Sequence, residues 1–410
     1  MHVTTMKPPV LRLLLAAALC AVVCGAFSSR GVDAQQNPYP AQYQAAGTLP
    51  MRDLTPAWTT TIAGDIMSAA IAADGSCVAV VSQQPPPGRI VLFDRGGLRA
   101  WDFSPPQVIT YPVAVAPGCA FVAFEASRDA DLRTSLPRGT VGLKRREGPP
   151  LAIAVDGRPS SIAISRAGDL IAIGTEGRTN IFLASPDGRV VRALQRFSAT
   201  APQVSFSADD GFIVISGWYG VGVITRAGES VWGPWPMSGQ AKRSDWRRID
   251  ASRDLQWFAA EQGPMHGPDA GSFALLSSGG EVAWQGPPVW AADARVAPDG
   301  SYFVAVGRER RQGAEIDDGA PARVTVMDRT GRVLASKTMP RPALEAVSLD
   351  GRFILMRELD PSARTWLVAR DRSLSPAWRV GSADNYAVNT ESGLIVSWSR
   401  GRMSGYVMPR

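Results

Sequence analysis

"VAPDGSYFVAVGR", Val296–Arg308, decides the fold. It opens on Pro-Asp-Gly, a tight turn, and runs through a short apolar segment to a glycine. The same turn-plus-strand returns along the chain. It is seen in "IAADGSCVAVVS" (71–82), "VAPGCAFVAFEA" (115–126), "ISRAGDLIAIGT" (164–175) and "FSADDGFIVISG" (206–217). It recurs in "DASRDLQWFAAE" (250–261), "VSLDGRFILMRE" (347–358) and "VNTESGLIVSWS" (388–399). Anchored on Gly75, Gly118, Gly168, Gly211, Asp254, Gly300, Gly351 and Gly393, the copies lie 43, 50, 43, 43, 46, 51 and 42 residues apart. Such steady spacing marks an internal repeat, and repeats are read before single elements.

Between the anchors a second signature returns: strand, tight turn, strand. Examples are "IVLFDRGGLRAW" (90–101), "IFLASPDGRVVRAL" (181–194), "FALLSSGGEVAW" (273–284) and "VTVMDRTGRVLAS" (324–336). Asp-Gly and related pairs suit the positive φ of short hairpin turns. Each repeat therefore holds four strands: one before the first turn, one after it, and the hairpin pair. Four-stranded units of this length are blades, and blades bury their apolar faces by stacking in a closed ring. The expectation is an all-β fold, a single eight-bladed β-propeller over residues 54–410. Ala79, Ala172, Ala260 and Ala305 place the strand after the turn at the crowded axis. Seventeen residues follow Gly393, too few for a complete blade. "PAWTTTI" (56–62) and "MSAAIAA" (67–73) supply the deficit, so the last blade is expected to take two strands from each end of the chain.

These repeats resemble the eight-bladed PQQ-like (quinoprotein-like) propellers, with a WD40-like flavour in the turn-plus-strand halves. The most specific shared element is the tryptophan ending the outer hairpin strand: Trp58, Trp101, Trp232, Trp284 and Trp378. The resemblance implies that these rings pack between neighbouring blades. "MDRTGRVLA" (327–335) keeps Asp328, Thr330, Gly331 and a basic Arg332 of the PQQ-like repeat but lacks its tryptophan. A likeness at this level carries fold better than function.

The N-terminus reads as an export signal, residues 1–34. Lys7 and Arg12 form its basic end, "LLLAAALCAVVCGAF" (13–27) its apolar run, and Val32-Asp33-Ala34 its cleavage site. An uncleaved membrane anchor is the alternative. Residues 35–53, "QQNPYPAQYQAAGTLPMRD", read as a flexible linker. The expected location is periplasmic or secreted. Loss of Lys7, Arg12, Arg30 and Asp33 with the leader lowers the formal charge of +6 by two, a mild balance that does not suggest nucleic acid.

Catalytic signals are sparse. The chain has two histidines, and only His266 lies outside the leader. Cys77 and Cys119 are the cysteines of the mature chain. They are expected to lie close together in adjacent blades, as a possible disulfide that export allows or as two buried thiols. A quinoprotein dehydrogenase would need a calcium cluster, a carboxylate base and, in the alcohol dehydrogenases of that family, adjacent cysteines; no such set stands out. "EIDDG" (315–319), with Glu315, Asp317 and Asp318, offers oxygen ligands for calcium but reads first as a solvated turn. No cofactor and no catalytic residue is expected.

The long connections are more informative. They are 125–139, 233–248, 261–272, 285–294 and 307–323, all on the face opposite the tight turns. They carry Trp235, Trp246, Trp290, Arg243, Arg247, Arg248, Arg308, Arg310 and Arg311. Loops on a rigid scaffold are where function concentrates, and Trp and Arg are enriched at interface hot spots. Two readings follow. One is an exported, monomeric, non-catalytic scaffold that binds a protein partner of the cell envelope through this face. The other is an enzyme or a small-ligand or cation binder using the axial channel. A channel lined by carboxylates favours the second and a small-residue lining the first; with the strand after the turn at the axis, ionisable residues are few.

Overall fold

The computed structural model describes residues 51–409 except 84–87, 106–111, 127–137, 178, 196–199, 219, 233–245, 263–271, 280, 287–289, 309–320, 341 and 360–363. The chain divides into two units, Met1–Gly47 and Thr48–Arg410, and the described residues all belong to the second. The leader and the linker up to residue 50 lie outside them.

Among the described residues, eight sheets of at least four strands form the ring. Two short strands come first, β1 (Arg52–Asp53) and β2 (Trp58–Thr61). Blade 1 follows as β3 (Ile66–Ile71), β4 (Cys77–Ser82), β5 (Arg89–Asp94) and β6 (Arg99–Phe103). Blade 2 is β7 (Val113–Val115), β8 (Phe121–Glu125), β9 (Arg138–Arg145) and β10 (Leu151–Asp156). Blade 3 is β11 (Pro159–Ile164), β12 (Ile171–Thr175), β13 (Thr179–Ala184) and β14 (Val190–Gln195). Blade 4 is β15 (Thr200–Phe206), β16 (Phe212–Trp218), β17 (Gly220–Thr225) and β18 (Ser230–Trp232). Blade 5 is β19 (Trp246–Ala251), β20 (Trp257–Gln262), β21 (Ser272–Ser277) and β22 (Val282–Gln285). Blade 6 is β23 (Trp290–Val296), β24 (Tyr302–Arg308), β25 (Ala322–Asp328) and β26 (Val333–Met339). Blade 7 is β27 (Ala343–Val347), β28 (Ile354–Leu359), β29 (Thr365–Arg370) and β30 (Pro376–Val380). The chain ends in β31 (Asn385–Asn389), β32 (Leu394–Ser399) and β33 (Arg402–Val407).

The turn that opens each repeat is fixed by its own side chains. Ser207, Ser252 and Ser348 donate their hydroxyls to Asp209, Asp254 and Asp350 at 2.6, 2.7 and 2.6 Å. The same hydroxyls accept the N–H groups of Phe212, Trp257 and Phe353 at 2.9, 3.0 and 2.8 Å. In "VAPDGSYFVAVGR" Ala297 replaces the serine. There Asp299 accepts the Ser301 N–H and hydroxyl at 2.9 and 2.7 Å instead. Gly300 sits at φ +63, and a Cβ on it would come within 2.6 Å of Trp257. Backbone conformation and close approach both demand glycine there.

The last blade closes the ring with strands from both ends of the chain, in the order β2-β33-β32-β31. The division is three strands and one, not two and two. β3, which holds most of "MSAAIAA", pairs with β4 as the first strand of blade 1. β2 alone crosses over, with Trp58 opposite Gly405 and Thr61 opposite Arg402. Arg52 and Asp53, the last residues of the stretch read as a linker, form a short strand parallel to β30. The ordered ring therefore starts by Arg52, before residue 54.

The hairpin tryptophans fill the seams between blades. Trp232 meets Phe258 of the next blade edge-on at 5.0 Å, and Trp284 meets Phe303 at 5.2 Å. Trp101 joins the cluster that holds Val113 and Phe124 of blade 2, and Trp378 the cluster that holds Tyr386 and Ile395 of blade 8. Trp58 joins the cluster of Val78, Val80 and Leu394 between blades 8 and 1.

Candidate functional site: the axial well and the two faces

The strand that borders the axis is the one before the turn, which corrects the expectation that the strand after it does. Ala163, Ser205, Asp250, Arg295, Glu345 and Asn389, one from each of blades 3 to 8, line a cavity of about 540 Å³. All but Asn389 precede the last residue of their strand, and all belong to first strands. Side chains stitch these first strands to the neighbouring blade. Ser161 Oγ donates to Pro202 O at 2.7 Å, Asp250 Oδ2 accepts the Val296 N–H at 2.9 Å, and Asn389 Nδ2 donates to Ala72 O at 2.7 Å. Ala79, Ala172, Ala260 and Ala305 lie instead on second strands, buried between blades.

The correction changes the chemistry of the axis. Asp250, Arg295 and Glu345 form an arc across blades 5, 6 and 7. Arg295 ion-pairs with the buried Asp293 two residues before it. It also donates to Ala294 O at 2.9 Å and to Leu344 O of blade 7 at 3.4 Å. Glu345 ion-pairs with Arg357 of β28. Burial pushes the Asp250 carboxyl above the ordinary carboxylate range, against the pull of Arg295 and of the Val296 N–H. Burial also pushes Glu345 up, with Arg357 opposing. Burial disfavours the Arg295 guanidinium, but Asp293 and Asp250 outweigh it and hold that charge firmly. At the mouth, Arg166 of blade 3 ion-pairs with Glu391 of blade 8. Those blades are three apart in the ring, so the pair spans the opening. Among the described residues no cluster of His, Cys, Asp or Glu is suited to hold a metal ion.

The opposite face carries the long connections. The strands flanking all five end on it. Trp246 begins β19 opposite Gln262, and Trp290 begins β23 opposite Arg308. These positions sit at the same end of adjacent blades 5 and 6. Arg247 and Arg248 follow Trp246 on β19. The side chains of Trp246, Trp290, Arg247, Arg248 and Arg308 lie outside what is described, as do Trp235, Arg243, Arg310, Arg311, His266, Glu315, Asp317 and Asp318 altogether.

Cys77 and Cys119 form a disulfide with Cα atoms 5.7 Å apart, a separation that suits the bond. It joins the start of β4 to the turn entering β8, across the seam of blades 1 and 2. The Gly118 N–H donates to Asp74 Oδ2 at 3.1 Å and to Ser76 Oγ at 2.8 Å beside it.

With this geometry in hand, solved structures can be set beside the chain. The C-terminal WD40 domain of Sif2 superposes with a TM-score of 0.56 at 12% identity, over 88% of this chain and 99% of that one. Kuenenia stuttgartiensis hydrazine synthase superposes with a TM-score of 0.50 at 12% identity, over 88% and 98%. The chain is an eight-bladed β-propeller. At this identity the likeness concerns the fold alone. No family model and no curated protein matches the sequence.

The axial charges were missed because the wrong strand was placed at the axis. A signal existed. β4 is buried at every position, as a strand covered on both faces by neighbouring blades should be. The first strands of blades 5, 6 and 7 mix apolar with ionisable residues, as in "RRIDA" and "ALEAV", the pattern of a strand with one edge toward water.

Proposed function

We propose that this propeller is an exported, non-catalytic scaffold that binds a protein partner of the cell envelope through the face bearing its long connections. The observation that supports this reading is the register of blades 5 and 6. Two tryptophans and an arginine, Trp246, Trp290 and Arg308, start or end strands at one edge of that face. Residue types that concentrate binding energy at interfaces thus fall at the same end of two adjacent blades. The leader directs the chain out of the cytoplasm, and the blades supply the rigid base that a loop-borne interface needs.

The test is capture of the partner from a solubilised envelope fraction with tagged mature protein. The comparison is with a variant carrying Trp235→Ala, Trp246→Ala and Trp290→Ala, its fold verified by thermal melting. The reading expects one specific band, identified by mass spectrometry, that the variant captures at least about tenfold less well, as loss of hot-spot aromatics predicts. Equal capture by the folded variant contradicts it.

A further inference from the structure

We propose that the axial well binds an aliphatic primary ammonium group, with its charged end against Asp250. This goes beyond the partner reading and concerns the opposite face. The cavity, about 540 Å³, falls in the size range of small-molecule sites. Its wall is of two kinds. Ile164, Phe206, Ile249 and Val347 give it apolar surface, while Asp250, Arg295 and Glu345 bring charge.

The sign of the ligand follows from the pairing. Around the inner wall stand Asp250, Asp293 and Glu345 against Arg295 and Arg357, and Arg253 on the rim balances the formal count on this side, so the sign turns on which of these groups are already paired. Arg295 is committed to Asp293 and to the carbonyls of Ala294 and Leu344. Arg357 is committed to Glu345, and Arg166 at the mouth to Glu391. Asp250 receives backbone N–H groups, from Val296 and Ala251, and feels Arg295 only through space. Among the described residues it is the carboxylate of this group without an ion-paired cation. Asp250 is half-buried; a carboxylate partly withdrawn from water without a bonded cation is costly, and a cation brought to it offsets the cost. Arg253, on the rim beside Ser252, is the further charge lining the well on this side. Asp210, in the turn of the adjacent blade 4, also lines the well, and its carboxylate accepts the N–H groups of Arg166 and Ala167. A metal ion would need several oxygen ligands around one point, and Arg295 stands among the carboxylates that would have to supply them. A single ammonium needs one carboxylate and an apolar wall for its chain.

The exit route fits the rest of such a ligand. Leu349, Thr390 and Glu391 line both the well and a second cavity of about 350 Å³ between blades 7 and 8. Phe353, Val407 and Met408 give that second cavity apolar walls. An alkyl chain rising from Asp250 has apolar surface to follow.

Isothermal titration of the mature protein with n-hexylamine, n-hexanol and hexanoate at pH 7 tests the proposal. The expected result is one saturable site for hexylamine, at least about tenfold tighter than for the alcohol, with no site for the acid. Asp250→Asn is expected to weaken hexylamine by about tenfold or more, whereas Asp328→Asn, on a distant hairpin turn, leaves it unchanged. N-acetyl-lysine amide separates the sources: equal binding identifies a lysine side chain as an accepted ligand, and weaker binding a free amine. If Asp250→Asn fails to fold, the ranking of the three probes on the unaltered protein decides alone. No saturable amine site, a preference for hexanol or hexanoate, or full amine affinity in folded Asp250→Asn overturns the proposal.

Discussion

Two seams of the ring are closed by different means. Between blades 1 and 2 the closure is covalent and local: Cys77 and Cys119 are 42 residues apart in sequence. Between blade 8 and its neighbours it is non-covalent and global. Thr59 Oγ1 lies 3.0 Å from Ser404 Oγ, across 345 residues of chain. Trp58 donates its Nε1–H to Arg95 O of blade 1 at 2.9 Å, and its ring lies where a Cβ on Gly405 would be 2.1 Å away. Asn389 reaches Ala72 of blade 1. β1 adds a strap on the outer edge of blade 7, where Asp53 pairs with Arg379, whose guanidinium lies 4.1 Å above the Trp366 ring. The difference teaches where the stability of a closed ring resides. A local staple constrains a segment that neighbouring strands already order. The global closure is the step that gives blade 8 its outer strand, β2, from the other end of the chain.

The largest effect that separates the seams is a truncation. A chain beginning at Ile66, without β1 and β2, is expected to lose cooperative folding or to melt more than about 10 °C below a chain beginning at Gln35, because the cluster around Trp58, Val78 and Leu394 is opened. Calorimetry checks this, and equal melting would remove the basis of the comparison. A smaller effect follows at the other seam. Cys77→Ser with Cys119→Ser is expected to cost about 2–4 kcal/mol while leaving a single cooperative transition in urea. A loss matching the truncation would make the covalent seam the principal one.

The smallest effect concerns the strap. The hydrogen bond from Arg379 holds the Asp53 carboxyl below its ordinary value of 3.8. A lowered carboxylate contributes stability that is fully present above the unfolded value and is lost as pH falls through the folded one. Both groups keep contact with solvent, so the contribution is at most about 1 kcal/mol. Asp53→Asn is therefore expected to lower the melting temperature by a degree or two at pH 7 and by nothing once the pH is well below 3.8. A difference that persists in acid would mean that Asp53 acts by something other than its charge.

Much of this architecture was legible in the residues. The eight turns, from Gly75 to Gly393, mark the blades because Asp-Gly and Ser-x-Asp turns are local chemistry, set by side chains within five positions of one another. Trp101, Trp232, Trp284 and Trp378 were legible for the same reason: each lies on the outer strand of a hairpin whose turn is set locally, whereas Trp58 was legible by its likeness to them. What was not legible is which strand meets the axis. Ala79 and Ala305 are small because blades pack against both faces of their strands, and smallness alone does not separate that crowding from crowding at the axis. The charged arc of Asp250, Arg295 and Glu345 depended on that choice. No local pattern brings together three residues from three blades; closure of the ring does. The split of the last blade was misjudged by one strand because β3 serves the first turn of its own blade, while β2 alone is left to cross over.

The closure of the last blade by β2 and β33 is the claim on which the ring depends, and a designed cross-link tests it most directly. Thr59 and Ser404 are register partners on adjacent antiparallel strands, a spacing that a disulfide can span. A chain beginning at Gln35 and carrying Thr59→Cys and Ser404→Cys, purified under mild oxidation and digested without reduction, is predicted to yield the two segments as one linked peptide by mass spectrometry, together with a higher melting temperature. Free, alkylatable cysteines at 59 and 404 in the folded protein would contradict the closure.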